Sequence, residues 1–251
     1  MTAWLRPLRE ALDAAPEPVT FFFRDDDAGW RDGRLMALLD VFAARALPID
    51  LAAIPVDMAP DIAGLLLERA ERTQPLALHQ HGYAHVSHET EGRKCEFGPA
   101  RRFAAQLADI GAGRRRLQEL LGPALEPVFT PPWNRCTEAT GACLRELGIA
   151  VLSRDRTAVA LGLDGLRELP VQVDWFAKRN GVRLGRDAVG EQLAARAAEP
   201  APLGVMLHHA EMDTEDLTAM SELLQLICAH ERARCLSMAA VVEETTMECA
   251  L

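Results

Sequence analysis

The sequence predicts an α/β protein whose strands form a largely parallel sheet. Short apolar runs of strand length alternate with longer stretches in which apolar residues recur at helical spacing. The short runs are almost continuously apolar, as is typical of strands buried on both faces. Because seven or eight such strand–helix units follow one another, two architectures are open: a closed or partly open (β/α) barrel and a doubly wound sheet.

The length and charge of the chain limit the range of functions. Its 251 residues suit one large α/β domain, which we predict to span 1–251 with a core at about 18–240. The formal net charge of -10 argues against nucleic acid or an acidic membrane surface as a partner. No apolar run approaches the roughly 18 residues of a membrane span, and the first residues lack the apolar core of a signal peptide. The cysteines show no CxxC spacing and suit a reducing compartment, so we expect a cytoplasmic protein.

The first half of the chain contains an N-terminal helix followed by three strand–helix units. Strands are predicted at 19–23, 49–54 and 76–78, and helices at 35–46, 61–72 and 99–121. The first strand is rich in β-branched and aromatic side chains, and Pro55 closes the second. Asp61 favours the positive end of a helix dipole, and Gly122 with Pro123 stops the third helix.

The second half continues the alternation with shorter units. Strands are predicted at 127–130, 149–152, 168–173, 204–207 and 235–237, and helices at 138–147, 188–198, 215–230 and 238–244. Gly148 stops the first of these helices. There is no internal repeat, low-complexity segment or inter-domain linker.

Two clusters of metal-binding side chains follow predicted strands. Four histidines lie within ten positions: His79, His81, His85 and His88. Histidines four residues apart can place both rings on one side of a turn. A run of three aspartates follows the first strand, and two imidazoles with one carboxylate make a divalent-metal site with open positions. Taken alone, the HxxxH pair is more typical of a solvated, histidine-rich loop.

Further polar side chains also lie at the carboxyl ends of predicted strands. Together these strand-end residues are Asp26, Asp27, His81, His85, Trp133, Asp174 and His208. A (β/α) barrel brings such strand ends together on the face that carries active sites, whereas a doubly wound sheet unites fewer of them. The pattern therefore favours the barrel.

In this order, the motifs resemble those of the polysaccharide deacetylases, the NodB-homology group of metal-dependent carbohydrate esterases. The family's T-F-D-D-G segment is matched at 24–28, H-(S/T)-x-x-H at 81–85, R-x-P-Y/W at 130–133, D-W at 174–175 and L-x-H-D at 207–209. The resemblance covers about residues 20 to 210. It implies a distorted seven- or eight-unit (β/α) barrel and removal of an acyl group, such as acetyl, from an N-acylated sugar or related small amide.

The resemblance also implies a role for each matching residue. Asp27, His81 and His85 would bind a divalent metal, with zinc expected first and cobalt, nickel or iron as alternatives. Asp26 would be the general base and His208 the general acid. Such a cation polarises an amide carbonyl and lowers the pKa of a bound water. The substrate contacts implied at the remaining motifs are Pro132, Trp133, Asp174 and Trp175, although core packing is an equal expectation for each tryptophan.

Three departures from the family pattern matter. Thr130 replaces the arginine that positions the catalytic aspartate, and either Arg24 or Arg135 could take over its role. Gly82 removes a hydroxyl that braces the loop. The third aspartate, Asp25, leaves an alternative in which Asp25 and Asp26 form the catalytic pair. His79 and His88 have no counterpart in the family and are expected behind the site or at the surface. His209 stands where the family often has aspartate, and either orients His208 or has no role.

Two other classes of function compete with a deacetylase. The loss of the motif arginine favours a non-catalytic barrel that binds a ligand. Two histidines and a carboxylate also suit an iron oxygenase. Oxygenases of that kind have antiparallel jelly-roll sheets, whereas this chain alternates strands with helices, so the oxygenase ranks last.

Overall fold

The computed structural model describes residues 2–72 and 75–248. Its strands are β1 Val19–Ala28, β2 Ile49–Ala53, β3 Leu76–His81, β4 Leu125–Thr130, β5 Val151–Leu152, β6 Arg167–Glu168, β7 Val173–Asp174, β8 Lys178–Arg179, β9 Val182–Arg183, β10 Leu203–Leu207 and β11 Ala233–Cys235. Its helices are α1 Arg6–Ala14, α2 Asp32–Ala43, α3 Pro60–Arg72, α4 Phe103–Leu121, α5 Glu138–Glu146, α6 Arg186–Ala197, α7 Thr214–Ala229 and α8 Met238–Glu248. Within this part of the chain, no helix is both long and apolar enough to cross a bilayer.

A curled parallel sheet forms the centre of the fold. Its strands follow the order β6-β5-β4-β3-β2-β1-β10-β7, and β11 pairs with the beginning of β1. The segment 167–174 joins the two edges, because β6 pairs with β5 while β7 pairs with β10. The predicted distorted (β/α) barrel is confirmed.

The two faces of β1 pack against different surroundings, because successive side chains of a strand point to opposite sides. Phe21 and Phe23 belong to the main core that the surrounding helices cover. Phe22 packs instead with Val128 and Met206 of other strands, and with Met238 of α8, in the barrel interior. The residues that follow Phe22 at every second position therefore continue along the interior.

Two predicted strand ends were wrong in an informative way. The first strand does not stop at residue 23 but continues to Ala28, and all ten residues are buried. The third strand continues to His81. The predictions followed the apolar runs and therefore ended where polar residues begin. The polar ends of both strands are nevertheless buried, because their side chains form hydrogen bonds or ion pairs.

The predicted strand at 168–173 was also wrong, since the segment forms two separate two-residue strands. Pro170 lies between them and has no N–H for a sheet hydrogen bond. The short antiparallel pair β8–β9 was not predicted. The other predicted strands and helices agree with the structure within four residues at each end.

Candidate metal centre

A bulge at the end of β1 turns two neighbouring carboxylates toward the same place. The pairing of β1 with β2 shifts register between Asp25 and Ala28, and Asp27 has a positive φ of 71°. In a regular strand Asp26 and Asp27 would face opposite sides. The bulge redirects Asp27, so both carboxylates lie at the open end of the barrel interior.

The three predicted metal ligands lie together at that end. Asp27 Oδ1 is 3.2 Å from His81 Nε2 and 3.3 Å from His85 Nε2. His81 ends β3, whereas His85 lies in the following turn with a positive φ of 55°. Asp27 and His81 are buried, and His85 is half-buried.

These three side chains fit a divalent cation. Their ligand atoms all lie within 4.8 Å of one another. Asp27 Oδ1 is buried, yet no described residue gives it a well-directed hydrogen bond. Burial would raise the pKa of Asp27, but its interaction with His81 and the charges of the nearby histidines hold that pKa well below its usual value. An ionised oxygen facing two imidazole nitrogens is the donor set that zinc and related ions prefer.

Asp26 lies beside this cluster and is held by a buried arginine. Arg24 Nε donates to Asp26 Oδ1 at 2.8 Å, and Arg24 Nη2 donates to Oδ2 at 3.0 Å. The guanidinium also donates to Ser153 Oγ and Asn134 Oδ1 at 2.8 and 2.7 Å. Burial would raise the pKa of Asp26, but Arg24, with smaller contributions from His81 and His208, keeps it below its usual value. The carboxylate is therefore ionised and fixed in direction.

Arg24 and Thr130 exchange the residue types that the family motifs have at these two positions. Arg24 stands at the threonine of T-F-D-D-G, and Thr130 stands at the arginine of R-x-P-Y/W. Both are fully buried, and Thr130 Oγ1 lies 2.9 Å from His79 Nε2. Arg135 donates to the Lys94 carbonyl instead. Arg24 rather than Arg135 thus contacts Asp26.

His208 and Asp174 lie near the same end of the barrel. His208 directly follows β10, is half-buried and stands edge-on to Phe176 at a ring distance of 6.4 Å. Asp174 Oδ1 accepts the Phe176 backbone N–H at 2.8 Å. Burial raises the pKa of Asp174, while the backbone hydrogen bond and the charge of His208 oppose this. Because the charge of His208 acts on Asp26, Asp27 and Asp174 alike, these groups share one electrostatic environment.

Asp25 has a different partner on the other face of β1. Its carboxylate is 2.6 Å from His209 Nδ1 and accepts the His209 backbone N–H at 2.9 Å. His209 Nε2 lies 2.6 Å from the Trp30 carbonyl oxygen, which only accepts hydrogen bonds. Burial would lower the pKa of His209, but the Asp25 charge raises it to about 9. His209 is therefore an imidazolium in a buried ion pair that occupies Asp25.

Of the substrate contacts implied by the resemblance, the tryptophans differ in their surroundings. His85 contacts two half-buried indoles, that of Trp133 at a ring distance of 4.5 Å and that of Trp30 at 4.8 Å. Pro132, next to Trp133 in the chain, is buried. Trp175 is fully buried in the main core, where its Nε1 donates to Asp216, so the interpretation of Trp175 as a substrate contact is corrected to core packing.

The remaining histidines lie outside the cluster. Burial and the charge of Arg24 lower the pKa of His79 to about 3, so this ring is neutral where it meets Thr130. His88 Nε2 accepts from Arg101 at 2.7 Å, farther along the loop. Sequence reasoning missed Trp30, Asn134 and Ser153. The one available signal was Arg24 itself, because an arginine in a buried strand requires buried acceptors.

Solved structures provide the comparison with known proteins. No protein-family model matches the sequence, and no curated protein matches it. A candidate polysaccharide deacetylase from Mycobacterium smegmatis is 16% identical, with 94% of this chain and 92% of that chain covered and a TM-score of 0.68. A family 4 carbohydrate esterase from Streptococcus mutans is 14% identical, with coverages of 93% and 90% and a TM-score of 0.61. A family 4 pseudoenzyme from Bacillus anthracis is 12% identical, with coverages of 90% and 66% and a TM-score of 0.59. The chain therefore has the polysaccharide deacetylase fold.

Proposed function

We propose that this protein is a metal-dependent deacetylase that hydrolyses the amide of an N-acylated sugar or a related small molecule. The observation that carries the proposal is the convergence of Asp27, His81 and His85 beside Asp26, which Arg24 holds from behind. The fold adds support because its structural neighbours include family 4 carbohydrate esterases. A cation held by these three side chains would act as a Lewis acid toward the amide carbonyl.

The chain's own residues would perform the proton transfers. Asp26 is ionised and would accept a proton from the attacking water as the new C–O bond forms at the carbonyl carbon. His208 would deliver a proton to the amide nitrogen as the C–N bond breaks, because an unprotonated amine is a poor leaving group. The products are a carboxylic acid and a free amine, so one water is consumed for each amide.

The surroundings of the cluster suit a small acyl group. Trp30 and Trp133 both pack against His85 and provide aromatic surface next to the cluster, and the adjoining Pro132 is buried. Zinc is the proposed metal, because two imidazole nitrogens and one carboxylate are a common catalytic set for it, while cobalt, nickel and iron use the same ligand types. If the protein is cytoplasmic, its substrate is an intracellular N-acyl compound.

Metal analysis joined to an amide screen tests the proposal. Purified protein should carry about one divalent ion per chain, and acetate should be released from at least one N-acetylated amine. The double variant His81→Ala/His85→Ala should lose both metal and hydrolysis, while His230→Ala, which changes a histidine paired with Asp13 outside the cluster, should keep both. Full metal retention in the double variant contradicts the proposal.

The contacts of Arg24 weaken the case for a non-catalytic barrel. That alternative was based on the absence of arginine at residue 130. Arg24 makes the contact with Asp26 that this arginine was expected to supply. A protein that binds metal but turns over no member of a broad N-acyl panel would favour the ligand-binding alternative.

A further inference from the structure

We propose that Glu96 is a positioning residue that holds the turn carrying His85, so that the imidazole faces Asp27. The inference rests on the proposed metal site. Glu96 lies eleven residues beyond His85 in the loop that connects β3 to α4, and its side chain is buried. No motif in the sequence analysis included it.

The Glu96 carboxylate accepts hydrogen bonds from the two backbone N–H groups that directly precede His85. Glu96 Oε1 accepts the Ala84 N–H at 2.7 Å, and Oε2 accepts the Tyr83 N–H at 3.2 Å. Burial raises the pKa of the Glu96 carboxyl, and the neighbouring backbone N–H groups oppose that rise. A turn between two regular elements normally leaves such N–H groups to water. Here a single buried side chain accepts both of them, and the residue that directly follows the two donors is a proposed metal ligand.

The conformation that Glu96 holds is one that the backbone does not prefer. His85 has a φ of 55°, in the left-handed region that non-glycine residues rarely adopt. Gly82 begins the same turn with a φ of 55°. A Cβ atom at Gly82 would lie 2.2 Å from Glu96 Oε2 and 2.6 Å from Pro132 Cδ. The carboxylate thus occupies the space that a side chain at residue 82 would need, which explains why the bracing hydroxyl of the family motif is absent.

Glu96 is itself fixed, so its hydrogen bonds direct the turn instead of following it. The next residue, Phe97, is buried and packs edge-on against Phe129 of β4 at 5.6 Å. The preceding residue, Cys95, accepts the His88 N–H at 3.0 Å through its carbonyl and donates its own N–H to Ser87 Oγ at 3.2 Å. The residues on either side of Glu96 are therefore both anchored, Cys95 to the turn that follows His85 and Phe97 to β4. Strained residues at ligand sites persist when their surroundings over-determine them in this way.

The test compares Glu96 with a matched carboxylate of the same loop. Glu89 Oε1 accepts one backbone N–H, that of Ala100, at 3.0 Å, and among the described residues Glu89 accepts no hydrogen bond from the backbone next to His85. In metal-stripped protein, Glu96→Ala should speed hydrogen–deuterium exchange in the segment 82–88, while Glu89→Ala should leave that segment unchanged. In zinc titrations against a chelator, Glu96→Ala should weaken binding by about 10- to 100-fold, as losing an outer-shell partner of a ligand typically does.

Glu96→Gln keeps the proposal testable if the alanine variant folds poorly. Its amide oxygen still accepts the Ala84 N–H, so its zinc affinity should lie between those of wild type and Glu96→Ala. A folded Glu96 variant with wild-type exchange in 82–88, or with wild-type zinc affinity, overturns the inference. A wild-type protein that binds no divalent ion would defeat the proposed function instead, and the exchange comparison alone would then decide the role of Glu96.

Discussion

The end of β1 carries two buried ion pairs with opposite surroundings. Arg24–Asp26 faces the barrel interior beside the candidate metal ligands, whereas Asp25–His209 faces away from it, with both side chains sealed from solvent. The two carboxylates are adjacent in sequence and of the same type. Strand parity alone separates them, because neighbouring side chains of β1 point to opposite faces. The position of an aspartate on the strand therefore decides whether its carboxylate faces the candidate metal ligands.

The same comparison bears on the register of the aspartate pair. Asp25 pairs with His209 on the face of β1 that points away from the candidate metal ligands. Asp26 and Asp27 face the cluster because the bulge turns Asp27 toward His81. The geometry accordingly favours Asp26 and Asp27 over Asp25 and Asp26 as base and ligand in the proposed reaction.

The largest expected difference between the two pairs is in catalysis. Asp26→Asn should retain zinc and fold but lose about 10²- to 10⁴-fold in kcat, because the amide cannot accept the proton of water. Asp25→Asn should stay within a few-fold of wild-type kcat while losing stability. Both variants are measured with the same N-acetylated amine, together with their metal content. Equal losses of kcat in the two variants would contradict the division of roles by strand face.

The next largest effect is expected from moving the arginine that pairs with Asp26. Arg24→Thr removes the partner of a buried carboxylate, so the free energy of unfolding should fall by about 3–5 kcal/mol. The exchange variant Arg24→Thr/Thr130→Arg places the arginine where the family motif has it, and should recover part of that loss and of kcat. Urea unfolding and steady-state kinetics measure both quantities. An exchange variant no better than Arg24→Thr shows that only β1 can supply the arginine.

The Asp25–His209 ion pair should make stability depend on pH. The pKa of His209 is raised to about 9 by Asp25 against the effect of burial. A raised histidine pKa means that the stabilisation is fully present below about pH 6.5 and is lost as the pH rises through about 9. Wild type should therefore exceed His209→Gln by roughly 1–3 kcal/mol at pH 6 and by less at pH 10. A difference in unfolding free energy that stays constant over this range would contradict the ion pair.

The sequence could predict the barrel and the cluster but not the network behind them. Alternating strands and helices and the polar strand ends were local signals, and they located Asp27, His81 and His85, which the fold brings together. The partners of Arg24 were not predictable, since Ser153 lies 129 positions away and contacts it only across the barrel interior. Glu96 was missed for the same reason, because its role depends on a loop folding back on itself.

Trp175 shows where a motif alone misleads. An Asp-Trp sequence at the end of a strand does not specify which of the two side chains faces the site. Here Asp174 lies near His208, and Trp175, next in the chain, is buried in the main core beside Trp4. The parity of a two-residue strand depends on pairing with β10, which no local pattern specified.

Another buried carboxyl sharpens the comparison, because no cation pairs with it among the described residues. Asp50 of β2 is buried and, within the described part of the chain, its one donor is the Met238 N–H at the start of α8, with contacts of 3.0 and 3.1 Å. Burial raises its pKa to about 8, the opposite of what Arg24 does for Asp26. Asp50 therefore binds its proton more tightly in the folded than in the unfolded protein, so stability should fall as the pH rises from about 4 toward 8.

Replacing Asp50 by asparagine should remove that part of the pH dependence. The amide mimics the protonated carboxyl, so Asp50→Asn should lie within about 1 kcal/mol of wild type near pH 5, where the native carboxyl is protonated, and should be the more stable protein at pH 9. Asp164→Asn, at an exposed carboxylate, serves as the control. Urea unfolding at pH 5, 7 and 9 measures how the free energy of unfolding of each protein changes with pH. If wild type and Asp50→Asn lose stability in parallel, Asp50 is ionised in the folded protein, and the absence of a cation does not distinguish it from Asp26.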